Sequence, residues 1–247
     1  MATRLSLVER AKRCAIGKAK KFPSDNLDGD MAAACRWDCY RRATMLEPLA
    51  AHVFEQHVPG DFMEAGVFKG GIAIAMTAML LANRPSPRTM WIADSFRGLP
   101  ELDTSRIGDA QTAGFVSAET SKARWYKGRF AIPERAVRLN FDRCLPGVSD
   151  ENLVGSIVGF FNESLPGPVK QLALLRVDAD MYTSITDVLE RVYDLVAPGG
   201  FVVFDDYKFP QAQRAIEDFR ARRGIAAPLQ FYNATLDVMA YWEKTRA

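Results

Sequence analysis

From residue 61 onwards, short apolar runs alternate with segments whose apolar residues recur at helical spacing. The apolar runs predict strands at 61–65, 89–94, 153–160, 172–178 and 201–205. Between them, helices are predicted at 71–82, 133–143, 184–196 and 211–222. Two short strands at 229–232 and 238–242 finish the chain. Because strands that alternate with helices form parallel sheets, we expect a doubly wound α/β fold with an antiparallel edge at its C-terminal end.

The first 58 residues do not follow this alternation. Residues 1–21 and 31–57 show helical spacing and carry many basic residues, and a turn-like segment separates them. We therefore expect an N-terminal helical cap over residues 1–58 that packs on the sheet. A chain of 247 residues is ample for one complete α/β domain, so a single domain is expected.

A polar stretch over residues 97–130 follows the second predicted strand and holds Gly98, Gly108, Gly114 and Gly128. It is longer than a routine connection in a compact domain. One interpretation is a dispensable surface insertion. The other is a lid over the active site that contacts the substrate and excludes water. The position of the stretch, directly after a strand, favours the lid.

Charge and composition argue against several classes of protein. The net charge is +2, with 25% charged and 48% hydrophobic residues, which gives no electrostatic reason to expect nucleic-acid binding. No apolar run approaches the roughly 20 residues of a membrane helix. Charges recur through the N-terminus, where a signal peptide would be apolar. We therefore expect a cytoplasmic protein without a membrane or nucleic-acid partner.

Cysteine and histidine residues offer little catalytic chemistry in this chain. We expect reduced thiols at all four cysteines, although Cys35 and Cys39 have a weak metal-ligand spacing. The only histidines, His52 and His57, lie near the end of a predicted helix, where a helix-end or surface role is favoured. A general base must then be sought among acids, tyrosines or lysines.

Two pairs of acids stand at the ends of two strand-length apolar runs: Asp178 with Asp180, and Asp205 with Asp206. If the runs are neighbouring parallel strands, all four carboxylates meet at one edge of the sheet, where open α/β sheets bind ligands. Carboxylates so close repel one another, which favours a site for a hard cation such as Mg²⁺. An extended strand end would turn Asp178 and Asp180 to the same side.

A structural alternative exists for each acid pair. Asp180 could cap the helix predicted at Ser184, and Asp206 could serve the turn at Phe209-Pro210. Either interpretation suits a single pair, but the occurrence of both pairs favours the metal site.

A glycine-rich segment joins the first predicted strand to the first helix, with the spacing G-x-x-x-G-G over residues 66–71. It differs from the dinucleotide fingerprint G-x-G-x-x-G. The acid Glu64 just before it would repel a diphosphate but suits the amino group of an amino-acid-like ligand. Asp94, at the end of the second strand, is placed to accept hydrogen bonds from ribose hydroxyls. Together these features favour S-adenosylmethionine over NAD.

Several segments resemble the macrocin O-methyltransferase family: GDFMEAGVFKGG, WIADSFRGLPELD, VGFFNESLP, LLRVDADMYTSITDVLERVYDLVAPGGFVVFDDY and VMAYWEK. The order and spacing of these motifs match over roughly residues 61–242. The resemblance implies a Rossmann-like methyltransferase sheet and dependence on S-adenosylmethionine and Mg²⁺. It also implies a small-molecule acceptor, a sugar hydroxyl of an antibiotic or other natural product.

The resemblance also implies roles for individual residues. Three are expected to be metal ligands: Asp178, Asp205 and Asp206. Asp180 corresponds to the acid that serves as the general base. The methionine part of the cofactor is expected to contact a loop with Glu64, Ala65, Gly66 and Gly70. The ribose is expected to contact Asp94, Ser95 and Phe96. The adenine is expected to lie against Gly159 and Phe160.

Other functions remain open from the sequence. A catechol-type O-methyltransferase would use similar chemistry on an aromatic vicinal diol, in a pocket to which Trp91, Phe96, Trp125, Tyr126 and Phe161 could contribute. A catalytically inactive S-adenosylmethionine-binding protein is a further alternative. A nicotinamide dehydrogenase is disfavoured by the glycine spacing and by Glu64. A homo-oligomer is compatible with the sequence.

Overall fold

The computed structural model describes residues 7–14, 29–83, 88–102, 127–148, 153–234 and 237–245. The strands in this part are β1 (Asp61–Ala65), β2 (Met90–Asp94), β3 (Val154–Val158), β4 (Leu172–Val177), β5 (Val196–Phe204), β6 (Gln230–Ala234) and β7 (Asp237–Glu243). They form one sheet in the order β3-β2-β1-β4-β5-β7-β6. β1 to β5 pair in parallel, whereas β7 is antiparallel to both of its neighbours. The predicted α/β fold, mostly parallel with an antiparallel C-terminal edge, is confirmed.

Helices cover both faces of this sheet. They are α1 (residues 7–14), α2 (Gly29–Glu55), α3 (Gly71–Ala82), α4 (Glu134–Cys144), α5 (Phe161–Ser164), α6 (Tyr182–Val192) and α7 (Pro210–Arg222). Side chains along β5 alternate between two buried clusters, so that Phe201 and Val203 join one and Val202 and Phe204 the other. The first cluster packs against α1 to α4, and the second packs against α6 and α7.

Two helices from the N-terminal part lie on one of these faces. Val8 of α1 and Leu46 of α2 are buried in the cluster on that face. The end of the predicted cap at residue 58 stays a prediction, since part of that segment lies outside the described residues. In the described part of the chain, no helix has the length and apolar character needed to cross a membrane.

β5 begins at Val196, five residues before the predicted start at 201, and α6 ends at Val192 rather than 196. Pro198-Gly199-Gly200, between the predicted helix and strand, lies inside β5, where the pairing with β4 shifts register between Leu172 and Leu174. A bulge accommodates proline and glycine in a strand, because the ladder is interrupted there.

The expectation of four reduced thiols is wrong for two cysteines. Cys14 of α1 and Cys144 at the end of α4 form a disulfide that joins residues 130 positions apart, with Cα atoms 5.4 Å apart. This bond links the N-terminal helices to the body of the protein. The thiol side chains of Cys35 and Cys39 lie outside the described residues. The cytoplasmic location stays a prediction, and it loses the support that reduced cysteines were meant to give.

Candidate active site

The two acid pairs follow directly on neighbouring parallel strands. β4 and β5 pair with Val177 opposite Phe204, so that the next residues, Asp178 and Asp205, emerge side by side. Carboxylate oxygens of Asp178, Asp205 and Asp206 lie within 4.8 Å of one another. The structure therefore brings the three predicted metal ligands together, and their role as ligands stays a prediction.

Asp180 reaches the same region by a different route from the one expected. β4 ends at Val177, and Asp180 has a left-handed backbone with φ of 59°, so the strand does not stay extended. Asp206 holds this conformation, because its Oδ2 accepts a hydrogen bond from the Asp180 backbone N–H at 2.9 Å. Burial, and next the charge of Asp180, raise the pKa of Asp206 well above its ordinary value.

The turns that follow the two acid pairs show which groups hold them in place. α6 begins after Met181, whose side chain makes no capping hydrogen bond. In the turn before α7, the Phe209 N–H donates to the backbone carbonyl of Asp206. Both Asp180 and Asp206 line a cavity, so their side chains are also placed to contact a ligand.

A buried arginine in the middle of the sheet neutralises part of this charge. Arg176 of β4 is 1% exposed and stands opposite Glu64 of β1. Its Nη1 donates to Glu64, while its Nη2 lies 3.0 Å from Asp178 and 2.8 Å from Asp205. Sequence reasoning missed Arg176, although a single charge in the apolar run LALLRV was a signal for a buried ion pair.

A second arginine comes from the N-terminal helices. Arg42 of α2 lines the cavity and forms an ion pair with Oδ2 of Asp205. Its side chain is 22% exposed. No local signal in the sequence identifies Arg42, because it lies among other basic residues and meets Asp205 only after the chain has folded.

Burial and mutual repulsion shift the pKa values of the acids in this cluster. Burial raises the pKa of Glu64 to about 8 against the opposing charge of Arg176. Burial, followed by the charge of Asp205, raises the pKa of Asp178. Burial also acts to raise the pKa of Asp205, but the charges of Arg176 and Arg42 outweigh it and hold that pKa below its ordinary value.

The cluster has the chemistry that a divalent cation requires. Asp205 is 1% exposed, and neither of its carboxylate oxygens accepts a well-formed hydrogen bond from the described residues, although two arginines lie at ion-pair distance. Carboxylate oxygens are the ligands that Mg²⁺ prefers. The residues present therefore fit a hard divalent cation.

Gly66 joins the glycine loop to the acid cluster. It has φ of 86°, and a Cβ atom there would overlap the carbonyl oxygen of Asp178. Only glycine satisfies both the backbone conformation and the close approach. This contact fixes the glycine loop against the end of β4.

Asp94 of β2 forms hydrogen bonds that hold the same glycine loop in place. Its Oδ2 accepts from the N–H groups of Val67 at 2.8 Å and Phe68 at 3.4 Å, and its Oδ1 accepts from Phe96 N–H at 2.8 Å. Each carboxylate oxygen can accept more than one hydrogen bond, so these contacts leave acceptor capacity for a ligand. Asp94 therefore has a structural role that the sequence did not suggest.

A cavity of about 390 Å³ opens along this edge of the sheet. The residues that line it beyond the acid cluster include Phe68, Leu99, Arg129, Phe130, Asn162, Thr183, Asp187, Lys208 and Phe209. The two ends of the predicted lid meet at the rim of the cavity. There the Leu99 N–H donates to the backbone carbonyl of Arg129, and the Gly128 N–H donates to the backbone carbonyl of Leu99, both at 2.9 Å. Residues 103–126 lie outside the described part, so the lid itself stays a prediction.

Comparison with known proteins identifies the family. The family model for macrocin O-methyltransferase (TylF) matches residues 26–244. The chain belongs to the macrocin O-methyltransferase family. It is therefore an S-adenosylmethionine-dependent O-methyltransferase, as the sequence motifs predicted.

Two curated relatives come from Streptomyces. The chain is 36% identical over 208 residues to the 8-demethyl-8-(2,3-dimethoxy-alpha-L-rhamnosyl)-tetracenomycin-C 4'-O-methyltransferase of Streptomyces olivaceus, covering 84% of this chain and 74% of the relative. It is 34% identical over 209 residues to the demethyldecarbamoylnovobiocin O-methyltransferase of Streptomyces niveus, covering 83% and 74%. Among solved structures, the O-methyltransferase NovP superimposes with a TM-score of 0.74 at 27% identity, covering 98% of this chain and 100% of NovP.

Within this methyltransferase, five of the predicted cofactor residues line the cavity: Gly66, Asp94, Ser95, Gly159 and Phe160. They come from three neighbouring strand ends, those of β1, β2 and β3. This arrangement gives one continuous wall for an extended ligand, and the contacts of each residue with the cofactor stay predictions.

The remaining predicted cofactor residues, Glu64, Ala65, Gly70 and Phe96, are not part of the described cavity lining. Glu64 is 1% exposed and engages Arg176 through Oε1. Its Oε2 is buried and accepts no hydrogen bond from any described residue. Because Glu64 does not line the cavity, its predicted contact with a ligand amino group stays a prediction. Of the aromatic residues proposed for a catechol pocket, Phe161 lines the cavity, whereas Trp125 and Tyr126 lie outside the described residues.

Replacing Asp94 by alanine is expected to weaken S-adenosylmethionine binding and also to lower the free energy of unfolding by about 1–3 kcal/mol, because buried backbone N–H groups lose their acceptor. Asp61→Ala is a matched control: Asp61 accepts from Thr89 N–H and the Trp91 indole at the opposite end of the same strands. Calorimetry should show weakened cofactor binding only for Asp94→Ala. Unchanged affinity for S-adenosylmethionine in that variant would show that Asp94 does not bind the ribose.

Proposed function

We propose that this enzyme methylates a sugar hydroxyl of a natural product and that it requires Mg²⁺ held by Asp178, Asp205 and Asp206. The observation that carries this proposal is the position of the carboxylate cluster. It lies at the same sheet edge as the glycine loop, and Gly66, Asp178 and Asp206 line one cavity. The methyl donor, the cation and the acceptor can then meet in one place.

The relatives support the class of acceptor. The Streptomyces olivaceus protein is named for O-methylation of a rhamnosyl-bearing tetracenomycin. A Micromonospora griseorubida relative, 33% identical over 190 residues, is named mycinamicin III 3''-O-methyltransferase. The cavity volume of about 390 Å³ lies in the range of small-molecule sites, and the cavity wall has hydroxyl and carboxylate groups of Thr183 and Asp187.

Alignment is the main task of the protein in this reaction. The Gly66 turn and Asp94 would fix the methyl donor, and the wall around Thr183 and Asp187 would fix the acceptor. Correct placement of the two reactants can supply on the order of 7–11 kcal/mol of the barrier. The phenylalanines in the cavity wall would exclude water from the reacting atoms once both ligands are bound.

Asp180 would remove the proton from the acceptor hydroxyl. It lines the cavity next to Asp206, and its backbone is held by Asp206 on one side and by the Gln211 amide on the other. A rigidly held base contributes about 10²–10⁴-fold to the rate. A divalent cation bound by the three aspartates would lower the pKa of the same hydroxyl.

A panel of acceptors tests the proposed substrate class. Purified enzyme, S-adenosylmethionine and Mg²⁺ should convert glycosylated natural products into products one methyl group heavier, as detected by mass spectrometry. The aglycones of the same compounds are the matched controls and should not react. Methylation of simple catechols with no reaction of any glycoside would favour the catechol-type alternative.

Removal of the cation is expected to abolish turnover. Enzyme treated with EDTA should be inactive, and Mg²⁺ should restore its activity. Asp205→Asn should bind Mg²⁺ more weakly by calorimetry, because a neutral amide replaces a charged ligand. Asp194→Asn is the control, since Asp194 is 68% exposed and pairs with Arg223 on the surface. Full activity after exhaustive chelation would exclude the metal requirement.

Asp180→Asn is expected to retain cofactor and Mg²⁺ binding while turnover falls about 10²-fold or more, because the amide cannot accept the proton. Asparagine tolerates the left-handed backbone at this position, so the turn should persist. Asp178→Asn, measured beside it, should lose metal affinity. If both variants lose the metal equally, Asp180 is a ligand and another group is the base.

A further inference from the structure

Two arginines neutralise the carboxylate cluster, and they differ in whether they can leave it. Arg176 is fixed on the central strand β4, is 1% exposed and contacts acids on both neighbouring strand ends. Its guanidinium group cannot reach solvent unless the sheet opens. It is therefore a permanent part of the cluster.

Arg42 approaches the cluster from the cavity. It belongs to α2, its side chain is 22% exposed, and it lines the cavity together with Asp178 and Asp206. Its long side chain can turn into the cavity without disturbing the sheet. Arg42 is therefore the counter-charge that can be exchanged.

The two arginines divide the carboxylate of Asp205 between them. Arg176 lies 2.8 Å from Oδ1, and Arg42 pairs with Oδ2. A divalent cation that bound Asp205 would have to use one of these oxygens. A guanidinium held beside a divalent cation in a buried site is strongly repelled, so one arginine must move away. Of the two, Arg42 lines the cavity and is partly exposed, so it is the one with open space beside it.

We propose that Arg42 is a stand-in cation, which pairs with Asp205 in the metal-free enzyme and is displaced from it by the divalent cation. This inference rests on the proposed metal site. It makes Arg42 a positioning residue that links the loading of the cation to a side chain of the N-terminal helix α2. It also means that the affinity for the cation is lower than the three aspartates alone would give.

Titration of Mg²⁺ by calorimetry tests the competition. Arg42→Gln should bind Mg²⁺ about tenfold more tightly than the wild type, because the ion pair with Asp205 no longer has to be broken. Arg41→Gln is a matched control, since the adjacent Arg41 is exposed on the same helix. It should bind Mg²⁺ as the wild type does. Arg42→Lys keeps the charge and should stay close to the wild type.

Thermal unfolding gives a second readout that does not depend on activity. The ion pair stabilises only the metal-free state, so Arg42→Gln should melt at a lower temperature than the wild type in EDTA, and saturating Mg²⁺ should close the difference. A variant that folds only when Mg²⁺ is present would agree with the inference. A variant that is unfolded or equally destabilised in both conditions would overturn it.

The outcomes distinguish this inference from the proposed function. If the wild type binds Mg²⁺ and Arg42→Gln binds it no more tightly, only the stand-in role fails. If the wild type binds neither Mg²⁺ nor Mn²⁺, the stand-in role and the proposed metal requirement both fail. Methyl transfer that persists in EDTA would identify the second case independently.

Discussion

Carboxylates within 4.8 Å of one another repel strongly, so a fold can hold them only where opposite charge or protonation offsets that repulsion. In this methyltransferase, the parallel pairing of β4 and β5 places Asp178 beside Asp205, and the chain supplies Arg176 from inside the sheet to offset the repulsion. The remaining negative charge faces the cavity. The same arrangement that would destabilise an ordinary sheet edge thus has the charge that the proposed cation would require.

The glycine loop and the acid cluster are joined in two places. Gly66 lies so close to the carbonyl of Asp178 that no side chain fits between them. Arg176 makes the second connection, because it pairs with Glu64, which precedes the glycine loop, and with Asp178 in the acid cluster. A shift of the glycine loop would therefore also move Asp178, so the proposed donor and cation positions depend on one another.

The parts of the structure that depend on local pattern could be predicted from the sequence. β1 and α3 have the predicted bounds, and the acid pairs meet as expected, because both follow from apolar periodicity and from parallel pairing. The start of β5 was missed because a bulge, rather than a turn, accommodates Pro198-Gly199-Gly200. The Cys14–Cys144 disulfide and the Arg42–Asp205 pair join residues far apart in sequence, which no local pattern reveals.

The most direct test of the central claim is the position of a bound cation. Crystals grown with Mn²⁺ and S-adenosylhomocysteine should be measured at the manganese absorption edge. We expect one anomalous peak bonded to carboxylate oxygens of Asp178, Asp205 and Asp206, beside the cavity. A peak bound by other residues, or the absence of a peak at this cluster at saturating Mn²⁺, would contradict the account.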